Sequence, residues 1–547
     1  MDGRPAAAAA ATPAAAAAAS AASATSGPAR AGEAEQARPA SNEYPVEDAA
    51  RLLGDCAVCS DSDDDGDVGS DGDGASPGAD QDERHLAAAS ESATGLVAAR
   101  EATRSALSLL EEDALPSNRG GYQRKHGNQG PNSPLWRAHK KHFFILSAAG
   151  KPIYTRYGDE TKLSSFIGVI HALISFYAED DDALRSMRAG GHLFVFVTKG
   201  PLYLVAVSCT GESEIQARDV PPAPLRRQLS ILYDQITLTL TSTQLHRIFE
   251  QRVNYDLRNL LAGTEIFMDS LCKSFQRNAG LFLESTWCLR MPARMRDRIS
   301  RTLVDAAPPK QLLFGLLFAG DKLVTFLRPR NYTIHPSDVS LLLNMILSSS
   351  AFRTVESWTP VCLPQFNNRG FLHAYVCFLS ADVCLALLSA EKDAFFALSA
   401  YKRAVLDAFE SADLVATLED AMRAGPYSVL ELGIPGLRSF LYRSKLLGQY
   451  TEPIPVSPYS HSQDRKRLLR LFQHAHEICQ RRPVPSKFVC FATSHETVVT
   501  GSSETFAAFG PLVPKDTALA AMAELDRWIR RNEDTLFMTQ SASLTMS

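Results

Sequence analysis

The sequence predicts an α+β chain in which a long disordered acidic tail precedes three copies of one module, each an antiparallel sheet flanked by helices. Three observations predict this. Residues 1–137 are too poor in large apolar side chains to build a core. Beyond them, short apolar runs broken by Gly and Pro alternate with stripes at helical spacing. The order of those elements then recurs.

The tail is mostly Ala, Ser, Gly, Pro and Asp, with "DSDDDGDVGSDGDG" at residues 61–74 as its charged centre. It holds 11 Lys and Arg against 22 Asp and Glu, which leaves 45 against 39 for the rest of the 547 residues. An acidic tail therefore leads into a mildly basic body, and contacts with anionic surfaces belong to the body. The opening alanine run carries Asp2 and is interrupted by Pro13, unlike a secretory leader. One helical patch is expected at "REATRSALSLLEED", where Leu107, Leu109 and Leu110 could dock on a partner or on the body.

The first module opens at "HFFILSAAGKPIYTRYG", two strands broken at Ala149-Gly150-Lys151-Pro152. A helix follows from about residue 161 to 178, with Leu163, Phe166, Ile167, Ile170, Ile174 and Tyr177 as its core stripe. "HLFVFVTKGPLYLVAVSC" supplies two more strands turning at Lys199-Gly200-Pro201, and a long helix runs from Pro224 to about Gln251. The hairpin recurs at "QLLFGLLFAGDKLVTFLRPR", where Phe314, Leu316, Gly320 and Thr325 stand as Phe144, Leu146, Gly150 and Thr155 do in the first. A helix, the strands "SWTPVCLPQF", "FLHAYVCFL" and "VCLALLSA", and one helix over 394–422 complete the second module. The third begins at "YSVLELGIPGLRSFLYRSK", turning at Pro435-Gly436, and continues with helices at 462–481 and 516–533 around three strands. The division expected is a tail over 1–137, modules over 138–252, 311–424 and 425–547, and linker helices over 253–310.

Catalytic signatures are missing. There is no GxGxxG, no GxxxxGK[ST], no GxSxG and no HExxH. His474, His476 and Glu477 crowd together in sequence, but residues two apart on a helix point apart, so a shared metal is not expected. Cys56 and Cys59 lack the second pair that a structural zinc needs. Most of the other cysteines sit in apolar runs such as "AYVCFL" and "KFVCFA", as thiols do in a reducing compartment. Leu163–Ala178 is uncharged, yet shorter than the roughly twenty residues of a membrane span. The chain reads as a cytoplasmic binding protein with no enzymatic chemistry, no cofactor and no metal.

Two features exceed what a core requires. On the helix after the first hairpin, Val169, Ala172 and Phe176 form an apolar flank beside Ser165 and Gly168, where a surface helix would be charged. Either a neighbouring helix or a protein partner covers that flank. Basic residues also cluster on two helices, with Arg294, Arg296, Arg298 and Arg301 on one and Arg465, Lys466, Arg467 and Arg470 on the other. They are either solvated faces or attracted to anionic lipid headgroups. Nucleic acid is not expected, since aromatic and basic residues do not interleave.

"FILSAAGKPIYTRYG", "GPLYLVAVS", "NYDLRNLLAG", "WTPVCLPQFN" and "GLRSFLY", in this order, resemble the monensin-sensitivity (Mon) family of vacuolar fusion proteins over about residues 140–535. The resemblance implies three longin domains. It further implies a subunit of the Mon/Ccz guanine-nucleotide exchange complex, which releases GDP from the late-endosomal Rab GTPase. That activity serves endosome maturation, fusion with lysosome or vacuole, and autophagosome delivery. In the family the first longin domains of both subunits pair and grip the Rab switch regions. By that position Ser165, Val169, Ala172, Phe176, Lys199, Gly200 and Pro201 would face the Ccz partner or the Rab. An early-endosomal Rab recruits such complexes, and Trp358 would be its anchor. Arg294, Arg296, Arg298, Arg465, Lys466 and Arg467 would face an anionic or phosphoinositide membrane, so that the cytoplasmic protein is recruited peripherally to endosome and lysosome or vacuole. The alternative is a longin adaptor or tether that binds a GTPase without exchanging its nucleotide.

Overall fold

The computed structural model describes residues 126–127, 129–160, 162–179, 182–210, 224–481, 488–493, 496–501 and 505–544. The acidic run, Cys56, Cys59 and the helical patch at 100–113 lie outside the described residues.

The first module contains β1 (Lys141–Ser147), β2 (Pro152–Thr155), helix α1 (Ser164–Glu179), β3 (Ser186–Ala189), β4 (His192–Lys199) and β5 (Leu202–Ser208). Two helices follow, α2 (Pro224–Thr239) and α3 (Ser242–Gln251). The strands form an antiparallel sheet in the order β2-β1-β5-β4-β3. Because side chains alternate across a strand, β1 divides its apolar residues between two layers. Phe144 and Leu146, with Phe194, Phe196, Val205 and Val207, pack against Leu163, just before α1, and Ile167, Ile170 and Ile174 along it. Phe143 and Ile145, with Leu193, Val195 and Leu204, meet Leu225, Leu229, Leu232 and Ile236 of α2. The single helix expected over 224–251 is two, because the Thr241 hydroxyl accepts from Gln244 N–H and caps a new start.

A connecting segment supplies α4 (Glu265–Ser274), the two-residue β6 (Thr286–Trp287) and α5 (Ala293–Asp305). The second module then has β7 (Leu312–Ala319), β8 (Lys322–Pro329), α6 (Pro336–Ser348), β9 (Ser357–Leu363), β10 (Asn367–Phe378) and β11 (Val383–Ser389). The two hairpins do not superpose residue for residue. Thr155 pairs with Phe144, whereas Thr325 pairs with Leu317, because the second turn is shorter. Helices α7 (Phe395–Ser411) and α8 (Leu414–Ala424) replace the one expected, with Asp413 at φ 52° between them. One apolar layer joins the first two modules, running from the first sheet through α2, α4 and α6 to Phe314, Leu316 and Val376 of the second.

The third module comprises β12 (Leu437–Ser444), β13 (Gln449–Thr451), α9 (Ser462–Arg481), β14 (Phe488–Ala492), β15 (Thr497–Gly501), β16 (Thr505–Phe509) and α10 (Lys515–Arg531). Its hairpin does not turn at Pro435-Gly436. The chain over 429–432 is a 3-10 turn, and β12 turns into β13 at 445–448, where Gly448 has φ 62°. Gly436 does take a positive φ, but it leads into β12 beneath Val513, which a Cβ would approach to 2.8 Å.

Two strands cross between modules. β6 adds to the third sheet in parallel with β13, and the C-terminal β17 (Ala542–Leu544) adds to the second in parallel with β8. Gln449 fastens this exchange: its Nε2 donates to Met538 C=O at 3.0 Å and its Oε1 accepts from Met538 N–H at 2.8 Å. Replacing Gln449 by Leu strands both buried backbone groups, so a loss of about 2 kcal/mol is expected. Urea unfolding measures the loss, and faster amide exchange over 537–544 locates it.

Two carboxylates, one buried and one half-buried, lie where the first two modules meet. Asp338 on α6 is fully buried and accepts from the N–H groups of Gln365 and Phe366. Asp234 on α2 accepts from Gln365 Nε2 at 3.3 Å. Burial pushes the Asp338 carboxyl up to about 7 against the pull of those N–H donors. Burial likewise pushes Asp234 up to about 6, opposed by Arg227 and Lys199. A pKa raised above the unfolded value contributes stability at low pH that is lost as pH rises through the folded value. Relative to Asp338→Asn, the parent chain should therefore gain about 1 kcal/mol as pH falls from 8 to 6. Buried His142, whose pKa burial lowers to about 3, acts in the opposite direction but cancels in this difference. A pH-independent difference in urea midpoint stability would contradict the burial argument.

Candidate partner-binding face

Helix α1 is packed on one side and bare on the other. Leu163, Ile167, Ile170 and Ile174 are buried against the sheet. Ser165, Gly168 and Ala172 are exposed, Val169 is half-buried, and Phe176 is 64% exposed. Of the two coverings open to the flank, a helix of the same chain is not the one seen among the described residues. A Cβ built on Gly168 would meet nothing within 4 Å. Phe176 and Tyr177 touch edge to face at 5.6 Å while both face outward.

Two turns extend this face. His171 Nε2 lies 3.0 Å from Ala148 C=O, and its ring fills the space beside Gly150, where a Cβ would sit 2.8 Å from Cγ. Gly150, at φ 75°, seats the β1–β2 turn on α1. Ala148 N–H donates to Pro201 C=O at 2.8 Å, tying that turn to the one at 199–201. Gly200, at φ 54°, lies over His246, which a Cβ would approach to 2.6 Å. Lys199 and Gly200 are exposed and Pro201 is half-buried. The fold thus ties the 199–201 turn to α1 at His171 through the β1–β2 turn. Sequence reasoning treated that intermediate turn only as a chain reversal. Its one sequence signal is a charged Lys151 between Gly150 and Pro152; in the structure this lysine is exposed and donates to Asn254 C=O.

Trp358 stands on β9, an edge strand, where it is half-buried. Its ring stacks on His373 at 5.3 Å and meets Phe395 edge-on. Val355 and Phe396 are 60% and 69% exposed; sequence reasoning passed over both because isolated apolar residues carry no periodic signal.

The basic helices require a correction. Arg296 does not face outward: it is 4% exposed and donates to the carbonyls of Val324 at 3.0 Å and Leu289 at 2.8 Å. Its place on α5 beside buried Ile299 and Leu303 turns it inward, where it satisfies carbonyls of β8 and the connecting segment. Arg467 is half-buried and engaged by Asp464 at 3.0 Å and Glu496 at 2.7 Å. Arg294, Arg298 and Arg465 are exposed, and Lys466 is half-buried. His474 lies 4.0 Å from Glu477, while His476 packs between Phe282 and Phe506. No described helix is long and apolar enough to cross a membrane.

Models of the first, second and third longin domains of FUZ, MON1 and HPS1 match residues 141–271, 310–407 and 436–533. Protein SAND of Takifugu rubripes is 41% identical over 412 residues, covering 74% of this chain and 78% of its own length. Vacuolar fusion protein MON1 homolog A of Homo sapiens is 40% identical over 417 residues, 75% of this chain and 63% of its own length. Vacuolar fusion protein MON1 of Cryptococcus neoformans is 37% identical over 405 residues, 72% of this chain and 64% of its own length. Matched in all three longin domains, and 40% and 37% identical to the human and fungal proteins over 75% and 72% of its length, the chain belongs to the MON1 family of vacuolar fusion proteins.

Proposed function

We propose that this chain is one subunit of a heterodimeric guanine-nucleotide exchange factor, paired with a Ccz subunit and acting on the late-endosomal Rab GTPase. The observation that carries the reading is the outward face of α1, an uncharged helix flank ending in exposed Phe176 and joined to the turn at 199–201. Bare apolar surface of this kind marks a protein interface. Exchange by such a subunit needs no covalent step. The pair binds the nucleotide-free Rab better than the nucleotide-bound form, and that difference shifts the equilibrium toward GDP release.

In this reading Ser165, Val169, Ala172 and Phe176 meet the Ccz subunit or the Rab, with Lys199, Gly200 and Pro201 at the margin. Trp358, with His373 and Phe395 against its ring, takes the upstream early-endosomal Rab. Arg294, Arg298, Arg465 and Lys466 approach an anionic or phosphoinositide membrane, and Arg296 has no part in it. The activity would serve endosome maturation, fusion with lysosome or vacuole, and autophagosome delivery.

The test is release of a fluorescent GDP from the late-endosomal Rab, with this chain alone and co-purified with a Ccz subunit. Acceleration by the pair and not by the chain alone is expected. A well-folded pair that binds the Rab without accelerating release would instead make the chain part of an adaptor.

A further inference from the structure

We propose that the cavity where the connecting segment meets the second and third longin domains binds a free α-amino acid with an apolar side chain. This site is separate from the α1 face and does not depend on the exchange reading. The cavity has a volume of about 330 Å³, enough for a small organic ligand. Leu271 of α4 and Arg277 beyond it line one part. Phe318 of β7 and Leu343 of α6 come from the second domain, and Glu452 and Arg465 from the third.

Glu452 sets the first requirement on the ligand. It follows β13 and is half-buried. Its carboxylate takes no hydrogen bond and no ion pair among the described residues, and neither oxygen is sealed from solvent. Burial pushes the carboxyl up to about 7 against the pull of Arg465 and Lys322, with Asp321 adding to the rise. A half-buried carboxylate without donors on a cavity wall favours an ammonium, which supplies a countercharge and N–H groups together.

Arg277 and Arg465 set the second. Both are exposed, and neither guanidinium is hydrogen-bonded or ion-paired among the described residues. A guanidinium fork matches a carboxylate. Neutral polar groups on the same walls are already engaged. Asn344 Nδ2 donates to Phe267 C=O at 3.0 Å, Tyr450 O–H donates to Asn278 Oδ1 at 3.1 Å, and Ser340 O–H donates to Pro336 C=O at 3.0 Å. The cavity therefore offers unpaired charge of both signs. A plain anion would meet Glu452 and a plain cation would meet two guanidiniums, so the complementary ligand is a zwitterion. The apolar wall of Leu271, Phe318, Leu323, Val339 and Leu343 takes its side chain.

The experiment titrates the full chain by calorimetry with leucine and with three probes that each lack one of its parts. Isocaproic acid lacks the ammonium, isoamylamine lacks the carboxylate, and glycine lacks the side chain. Leucine is expected to bind at one site, at least about tenfold tighter than each of the three, because each gives up one charge-assisted or apolar contact. Glu452→Gln should erase the advantage over isocaproic acid, and Arg277→Ala should cut the advantage over isoamylamine. Arg465 is kept, because it also belongs to the membrane-facing set. The comparison of probes on the parent chain needs neither variant to fold. The proposal is overturned if leucine does not bind, if any of the three lesser probes binds as tightly, or if leucine's advantage over isocaproic acid survives Glu452→Gln.

Discussion

Replacing Arg156 by alanine is expected to cost the fold about 3–5 kcal/mol, as breaking one side of a buried ion pair does. Arg156 follows β2 and is 8% exposed; its Nη1 lies 3.0 Å from Oδ1 of Asp269, itself 4% exposed on α4. Tyr154 O–H donates to the same oxygen at 2.6 Å. Taking away the guanidinium removes the countercharge 3.0 Å from a carboxylate buried in the protein. Most of the loss is therefore a burial penalty on the remaining carboxylate rather than the worth of the pair. Asp269→Asn added to Arg156→Ala should recover part of the stability, which a double-mutant cycle under urea would measure. A loss below about 1 kcal/mol for Arg156→Ala would mean that water reaches Asp269 and that this junction is not sealed.

Phe176→Asp is expected to leave the isolated chain's stability unchanged within about 0.5 kcal/mol, because the ring is largely exposed. Its effect should fall on assembly. An aromatic side chain central to an interface carries 2 kcal/mol or more, so affinity for the Ccz subunit should drop by roughly thirtyfold or beyond. Exchange measured at limiting subunit concentration should fall with it and be restored at high concentration. Calorimetry of the pair separates the cases: unchanged affinity with unchanged exchange would remove Phe176 from the interface. Unchanged affinity with slower exchange would place it against the Rab instead.

Much of the fold was legible because the modules are local. The alternation in β1 and the stripe on α1 arise from pleat and helical pitch, which adjacent residues alone set. The same reasoning found the bare flank of α1, since an uncharged face at Val169, Ala172 and Phe176 is visible on a helical wheel. It failed where distant chain decides. Pro435-Gly436 looked like a hairpin turn, but Val513 lies over Gly436 and Tyr427 packs against Phe440 and Trp528, so the reversal moved to Gly448. Arg296 looked like its exposed neighbours on α5, and only the carbonyls of Leu289 and Val324 show why it turns inward.

By itself, then, the sequence determined the acidic lead-in, the threefold element order, the apolar flank of α1 and the motifs that mark the family. These depend on composition and on spacings within a few residues. Tertiary structure decided the strand exchange that sends β17 to the second sheet, the inward Arg296, the buried Arg156–Asp269 pair and the cavity beside Glu452. Each of these joins residues far apart in the chain, where burial removes water and leaves a charge or an amide only the partners that folding brings to it.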